Sequence, residues 1–331
     1  MKQNLLLLLT IFILSAGPAT AQFLGADFHY EIGSNSTEDT ISLSMLDAPP
    51  VNLSMDPNQP VPYKFTLKLY FHCMQSDFPN EQPITVHEHI GIMQTGEYTL
   101  TLDSVSDVTS YLNVSCELAN EQCFKIATYS ATVGLKNMAG GYDITWGTCC
   151  WNHSVTNITN LEMQGLAMTL HIPESMEPQK NTSPVFIELP QTLTCPDKIM
   201  NINSMAMDKE GDKLVYSLVH PSTFQQVNNM GKVDHSDLFP GQNNYKPLVV
   251  GRPPFKKIIY NEGFSSDRPL GESIFKINPE TGSIEVQAKE SGQYIIGIGV
   301  SEYRNDILLG ETQRVIMLEV VADPYSLETI K

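Results

Sequence analysis

The chain has 331 residues, 20 Lys+Arg against 37 Asp+Glu, and a formal net charge of −17. A surface this acidic repels a phosphate backbone or an anionic bilayer, so no nucleic acid and no charged membrane face is expected as a partner. Hydrophobic residues make up 41% and charged residues 17%, which excludes a largely disordered chain and leaves enough apolar side chains for one to three packed domains.

The first element in chain order is an address. Lys2 precedes an apolar run over residues 5–14 broken only by Thr10, and Ala19 and Ala21 supply the small residues that a signal peptidase reads. Residues 1–21 therefore predict a secretory signal peptide cleaved before Gln22. An apolar run of about ten residues is half a bilayer span, and no later stretch approaches one. The mature chain is expected to be exported (extracellular, at the cell surface or periplasmic) with no transmembrane span.

The body alternates with the period of a β-strand. Phe65, Leu67, Leu69 and Phe71 share one face, with Lys64, Thr66 and Lys68 on the other, as in a half-buried antiparallel strand. The same period runs through Tyr98 and Leu100 to Leu102, Ala127 to Val133, Tyr142 to Trp146 and Leu166 to Ile172. Further strand-like runs lie over residues 214–219, 275–277, 284–286, 294–300 and 315–321. Residues 278–282 (NPETG) predict a tight turn in which Gly282 takes positive φ. No mature segment sustains a 3.6-residue period. The expectation is an all-β fold of two tandem Ig-like, cadherin-like antiparallel sandwiches, since about 300 residues exceed one.

Pro173, Pro178 and Pro184 punctuate a polar connector, with a short edge strand expected near Phe186. The expected organisation is a signal peptide over 1–21, a disulfide-bonded sandwich over 22–187, a second sandwich over 188–321 and a tail over 322–331. Residues 221–247 form a long aperiodic polar stretch, either a surface insertion or a binding loop.

Six cysteines, Cys73, Cys116, Cys123, Cys149, Cys150 and Cys195, suit three disulfides in an exported protein. If the neighbours Cys149 and Cys150 both lie on a strand, they point to opposite faces and should take different partners. Cys116 and Cys123 are close enough to clip one loop, which leaves Cys73 and Cys195 for the doublet; no CxxC spacing suggests zinc. Trp146 reads as core packed near a disulfide. Trp151 could pack likewise or stack on a sugar ring. Six Asn-x-Ser/Thr sequons, at Asn35, Asn52, Asn113, Asn152, Asn157 and Asn181, would be acceptors only in a eukaryotic secretory pathway.

Several blocks carry a family resemblance. Residues 68–73 (KLYFHC) resemble the end of an LKLYRDC block. Gly141-Tyr142 with Cys149-Cys150-Trp151-Asn152 resembles GY…CCRN, and residues 181–186 (NTSPVF) resemble NSSPVF. Residues 208–218 (DKEGDKLVYSL) are similar to DPDGDSLVYSL, and Pro253-Pro254-Phe255, Tyr260-Asn261 and Pro269-Leu270-Gly271 follow PPY…YN…PLGG. Glu302-Tyr303-Arg304-Asn305, with Arg314 beyond, resembles EEYRNG…RRDF. As an ordered set these blocks are similar to the N-terminal region of secreted Bacteroidota PKD/Ig-like and cadherin-like surface proteins, including gliding-motility-associated adhesins. Phe71-His72 and Trp151 stand where that family has arginines. The resemblance implies a secreted or cell-surface, non-enzymatic structural or adhesion protein whose partner is an extracellular protein or glycan.

Asp208, Glu210 and Asp212 alternate around Gly211 just before a strand, the spacing by which a short loop surrounds Ca²⁺, although it also suits a solvated turn. In cadherin-like modules such a loop lies at a domain junction with an acid from a late strand, a place that Glu302 would fill. Calcium is thus the one candidate cofactor. Among catalytic patterns, His87-Glu88-His89 offers two imidazoles on one strand face without the HExxH spacing or an evident third ligand. There is no GxSxG elbow, Walker loop or dinucleotide fingerprint. No catalytic residue is expected. A carbohydrate-binding accessory protein is the alternative reading, and a metal-dependent hydrolase the third.

Overall fold

The computed structural model describes residues 23–33, 59–73, 75–91, 94–108, 124–149, 151, 154–161, 164–174, 180–224, 246–248 and 250–321. The expected signal peptide, the tail, and residues 225–245 of the long polar stretch lie outside the described residues. Among the described residues there is no α-helix, and so none long and apolar enough to cross a membrane. The all-β expectation holds.

The first half contributes β1 (Phe23–Ile32), β2 (Val61–His72), β3 (Glu81–Glu88), β4 (Gln94–Asp107), β5 (Phe124–Leu135), β6 (Tyr142–Cys149) and β7 (Leu166–Ile172). The second contributes β8 (Val185–Phe186), β9 (Leu193–Thr194), β10 (Met200–Asn203), β11 (Ala206–Met207), β12 (Lys213–Leu218), β13 (Lys246–Leu248), β14 (Ile274–Ile277), β15 (Ser283–Gln287), β16 (Gly292–Arg304) and β17 (Ile307–Val320). Every run with period two forms a strand. The NPETG turn closes β14 onto β15, with Gly282 at φ 70° and the Asn278 side chain accepting from the amides of Glu280 and Thr281.

A single 12-stranded sheet runs β12-β16-β17-β1-β2-β5-β4-β3-β6-β13, with β7 also on β6 and β9 on β17, and curls into a half-barrel. A three-stranded sheet (β10-β15-β14) and a two-stranded one (β11-β8) accompany it. One sheet thus spans both sides of residues 187–188, and Ile258, Ile295, Val315 and Met317 from the second half pack in the same core as residues of the first. β1 carries the join: on one side it runs antiparallel to β2 along its length, and on the other Gly25, Ala26 and Asp27 face Ile316, Val315 and Arg314 of β17.

The side chains of β16 and β17 show why the chain folds this way. Ile295, Val315 and Met317 point into the first core, while Tyr294, Ile296, Ile298, Ile316, Leu318 and Val320 point into the second. A strand buried on both faces reads as a continuous apolar run rather than an alternating one, which is the pattern of residues 294–298 and 315–318. Each such side chain withdrawn from water contributes roughly 1.5–3 kcal/mol, so the shared wall ties the two cores into one stability. Gly25 makes the join sterically accessible: at φ 144°, a Cβ there would lie 2.1 Å from the Val315 carbonyl oxygen.

Candidate functional site

The loop before β12 brings its acids together as its spacing suggests. Asp208 Oδ1 accepts from the Asp212 amide at 2.7 Å, folding the loop back on itself, and Gly211 takes φ 82° at its tip. Glu302 lies on β16 directly across from Leu214 of β12, at a bulge between Glu302 and Tyr303. One carboxylate oxygen from each of Asp208, Glu210, Asp212 and Glu302 falls within 4.8 Å of the others. Glu302 is 1% exposed, whereas Glu210 is open to solvent.

The connector and the first half close over this cluster. The Asn181 side-chain amide donates to Glu302 Oε2 (3.0 Å) and to the Tyr30 hydroxyl (3.2 Å), and the Thr182 amide donates to Glu210 Oε2 (3.2 Å). Arg304 donates through Nε to both oxygens of Asp212 (2.8 and 3.1 Å), through a terminal nitrogen to Asp212 Oδ2, and through the same nitrogen to Asn181 Oδ1 (3.1 Å). Two oxygens are left over: Glu302 Oε1 and Asp208 Oδ2 are buried without a hydrogen-bond partner. Burial, opposed by the Asn181 amide and reinforced by Asp212 and Asp208, pushes the Glu302 carboxyl up to about 8. The Arg304 hydrogen bonds hold Asp212 below the usual carboxylate range despite its partial burial.

These residues fit a hard divalent cation. Ca²⁺ takes six to eight oxygens at about 2.3–2.6 Å, and four acidic side chains converge here, two of them with a buried oxygen that no protein donor reaches. Without an ion Glu302 keeps its proton at neutral pH, so a cation would displace that proton and give the buried Asp208 Oδ2 the partner whose lack costs roughly 1–3 kcal/mol. Asp208, Glu210, Asp212 and Glu302 would hold it, with Arg304 already neutralising part of Asp212.

The other expected site residues fare differently. Trp151 is 3% exposed and its ring packs on Phe23, centroids 5.3 Å apart, so neither face is free to stack on a sugar; the ligand-binding reading of Trp151 is corrected to core packing. Trp146 is fully buried, its indole N–H donating to Gln82 Oε1 at 3.1 Å. Cys73, Cys149 and Cys195 are disulfide-bonded, and no cysteine among the described residues is free. Cys116, Cys123 and Cys150, on which the expected pairing turns, lie outside the described residues. Two sequon asparagines serve the fold. Asn157 is fully buried and bonds the backbone of Pro269 and Ile295, and Asn181 is the link already described.

His87 and His89 part company. His87 is 3% exposed and sits 3.5 Å from the Thr145 hydroxyl, its imidazole held below the ordinary range by burial and by Arg252. His89 meets two residues that the sequence reading passed over, Asp143 and His171. Their one signal was alternation: each occupies a polar position between apolar neighbours on a predicted strand, which says that it faces away from the core but not what it meets. No protein-family model, curated protein or solved structure matches the chain.

Proposed function

We propose that the protein is an exported, non-enzymatic structural or adhesive protein built from Ig-like elements, stabilised by disulfides and stiffened by calcium where its two cores meet. The convergence of Asp208, Glu210, Asp212 and Glu302, with a buried carboxylate oxygen left unsatisfied, carries this reading. Its position supports a stiffening role. Asn181 joins Glu302 of β16 to Tyr30 of β1, so an ion held by Glu302 would order the connector and both halves together. The sheet shared through β1 and β17 suits a rigid extracellular spacer more than two modules on a hinge. The acidic surface and the resemblance to secreted surface proteins agree with export. The carbohydrate-binding alternative loses its hook with the burial of Trp151.

The test is thermal unfolding of the mature chain in millimolar Ca²⁺ and in chelator. With a dissociation constant of about 10⁻⁴ M, as extracellular sites often have, 10 mM Ca²⁺ would add about 2.7 kcal/mol, a rise of about 4 °C for a cooperative unit of this length. Equal midpoints would remove calcium. Adhesion is tested separately, by retention of the producing cells on a surface coated with the mature chain in Ca²⁺ and in chelator; no retention in either would remove the adhesive role.

A further inference from the structure

We infer that His89, Asp143 and His171 form a binding site for a zinc-type divalent metal, separate from the acidic cluster and independent of the calcium reading. Strand pairing assembles it. Asp143 of β6 lies directly across from His87 of β3 on one side and from His171 of β7 on the other. Directly opposed residues of antiparallel strands project from the same face. His89 follows His87 by two positions, just past the end of β3, and joins that row.

The donor atoms already stand close to ligand spacing. His89 Nδ1 lies 3.0 Å from both oxygens of Asp143, and His171 Nδ1 lies 3.0 Å from Oδ1 of the same carboxylate. Four-coordinate zinc with bonds of about 2.0–2.1 Å separates its ligand atoms by about 3.3 Å; both imidazole-to-carboxylate separations are within a few tenths of an ångström of that, and one ligand atom from each residue lies within 4.8 Å of the other two. The two imidazole centroids are 4.3 Å apart and the rings are steeply inclined, so both Nδ1 atoms approach one carboxylate from different directions. Two imidazoles and one carboxylate are a zinc donor set. They are a poor one for Ca²⁺, which takes oxygens.

The surroundings hold this arrangement in place. The His89 amide donates to the Gly141 carbonyl at 3.0 Å. Arg252 donates to the carbonyls of Glu88 (2.9 Å), His89 (2.8 Å) and Gly91. The segment carrying His89 is therefore clamped from both sides, although no regular strand contains it. Gly141, at φ 77°, lets the start of β6 approach the end of β7 so closely that a Cβ would lie 1.9 Å from the Ile172 carbonyl oxygen. His89 and Asp143 open on a cavity of about 530 Å³ lined also by Thr169, Ser222, Arg252 and Lys257.

The experiment titrates metal-free mature protein with Zn²⁺ against a chromophoric chelator. Wild type is expected to bind one equivalent at this site, and His89→Ala and His171→Ala each to weaken it at least tenfold. Asp143→Asn, which keeps the side-chain shape and an acceptor, is expected to do the same should either alanine variant misfold. Lys257→Ala, which alters the cavity wall but removes no ligand, is expected to bind as wild type does. X-ray absorption of the zinc complex should show two imidazole nitrogens and carboxylate oxygen at about 2.0 Å. Absence of stoichiometric zinc in wild type would overturn the proposal. So would wild-type affinity in a folded His89→Ala/His171→Ala double variant.

Discussion

Asp27 and Arg314 face each other where β1 meets β17, 287 positions apart in the chain and both closed off from water. Arg314 donates through Nε to Asp27 Oδ1 (2.7 Å) and through a terminal nitrogen to Oδ2 (2.6 Å), the Tyr70 hydroxyl donates to the same Oδ2 (2.5 Å), and the guanidinium lies 4.2 Å above the Phe186 ring. One ion pair thus touches β1, β2, β8 and β17. Burying two charges is costly, and a pair of this kind stabilises mainly in the sense that neither partner can be removed alone.

Arg314→Met should therefore cost about 3–5 kcal/mol, because it leaves the Asp27 carboxylate buried against the Tyr70 hydroxyl alone. Tyr70→Phe, which removes one charge-assisted hydrogen bond, should cost about 1.5–3 kcal/mol. Urea unfolding followed by the fluorescence of the buried Trp146 and Trp151 measures both. A loss below 1 kcal/mol for Arg314→Met would show that the pair is not a structural requirement of the join.

Gly25→Val should be at least as damaging. Its Cβ would meet the Val315 carbonyl oxygen at 2.1 Å and the Ile316 Cα at 2.8 Å, both backbone atoms that cannot swing aside. Relief requires β1 to lift from β17, which breaks the register that also pairs Asp27 with Arg314. The expected result is a loss of more than about 3 kcal/mol, in the range of a forced backbone shift. A midpoint within 2 °C of wild type would contradict it.

Glu302 gives the chelated protein a definite pH dependence. Its carboxyl titrates at about 8 in the folded chain against an ordinary 4.5, so between those values the folded state holds a proton that the unfolded state has lost. Stability from this group is complete below the unfolded value and falls as pH rises through about 8. Glu302→Gln should flatten this limb in chelator and remove any stabilisation by Ca²⁺. Unfolding midpoints of both forms across pH 5–9 check it, and an unchanged slope in the variant would disprove the assignment.

His29 acts with the opposite sign. Burial on β1, together with Lys68 and Lys64 and against the pull of Asp27, lowers its imidazole to about 4 from an ordinary 6.5. Between those values the unfolded chain is protonated and the folded chain is not. The stability contribution is present above 6.5 and is lost as pH falls toward about 4. His29→Gln should reduce the acid limb of the stability profile while leaving the limb above pH 7 to Glu302. Midpoints measured between pH 4 and 7 in chelator would show the difference, and identical acid limbs would reject it.

Much of the fold was legible residue by residue. Phe65 to Phe71, Ala127 to Val133 and Leu166 to Ile172 announce strands because side-chain direction on a strand alternates with a period of two, a rule that needs no knowledge of the partner. Asn278 and Gly282 announce their turn for a similarly local reason, one a side-chain acceptor and the other free to take positive φ. Asp208, Glu210 and Asp212 were visible as a loop of hard ligands, and the place of Glu302 beside them came from the resemblance of the surrounding blocks rather than from spacing.

Strand order has no such local mark. β1 alternates only from Ala26 onward, and nothing within its ten residues says that β17 rather than another edge will take its second side. The continuous apolar runs over 294–298 and 315–318 indicate burial on both faces, but the two cores that bury them are built from residues scattered over most of the chain. His89, Asp143 and His171 are 54 and 28 positions apart, and only the pairing of β3 and β7 on either side of β6 sets them side by side. Local periodicity thus decides which residues face inward and which outward. Which outward-facing residues become neighbours is decided by closing loops over long separations, and that depends on the packing of the whole molecule.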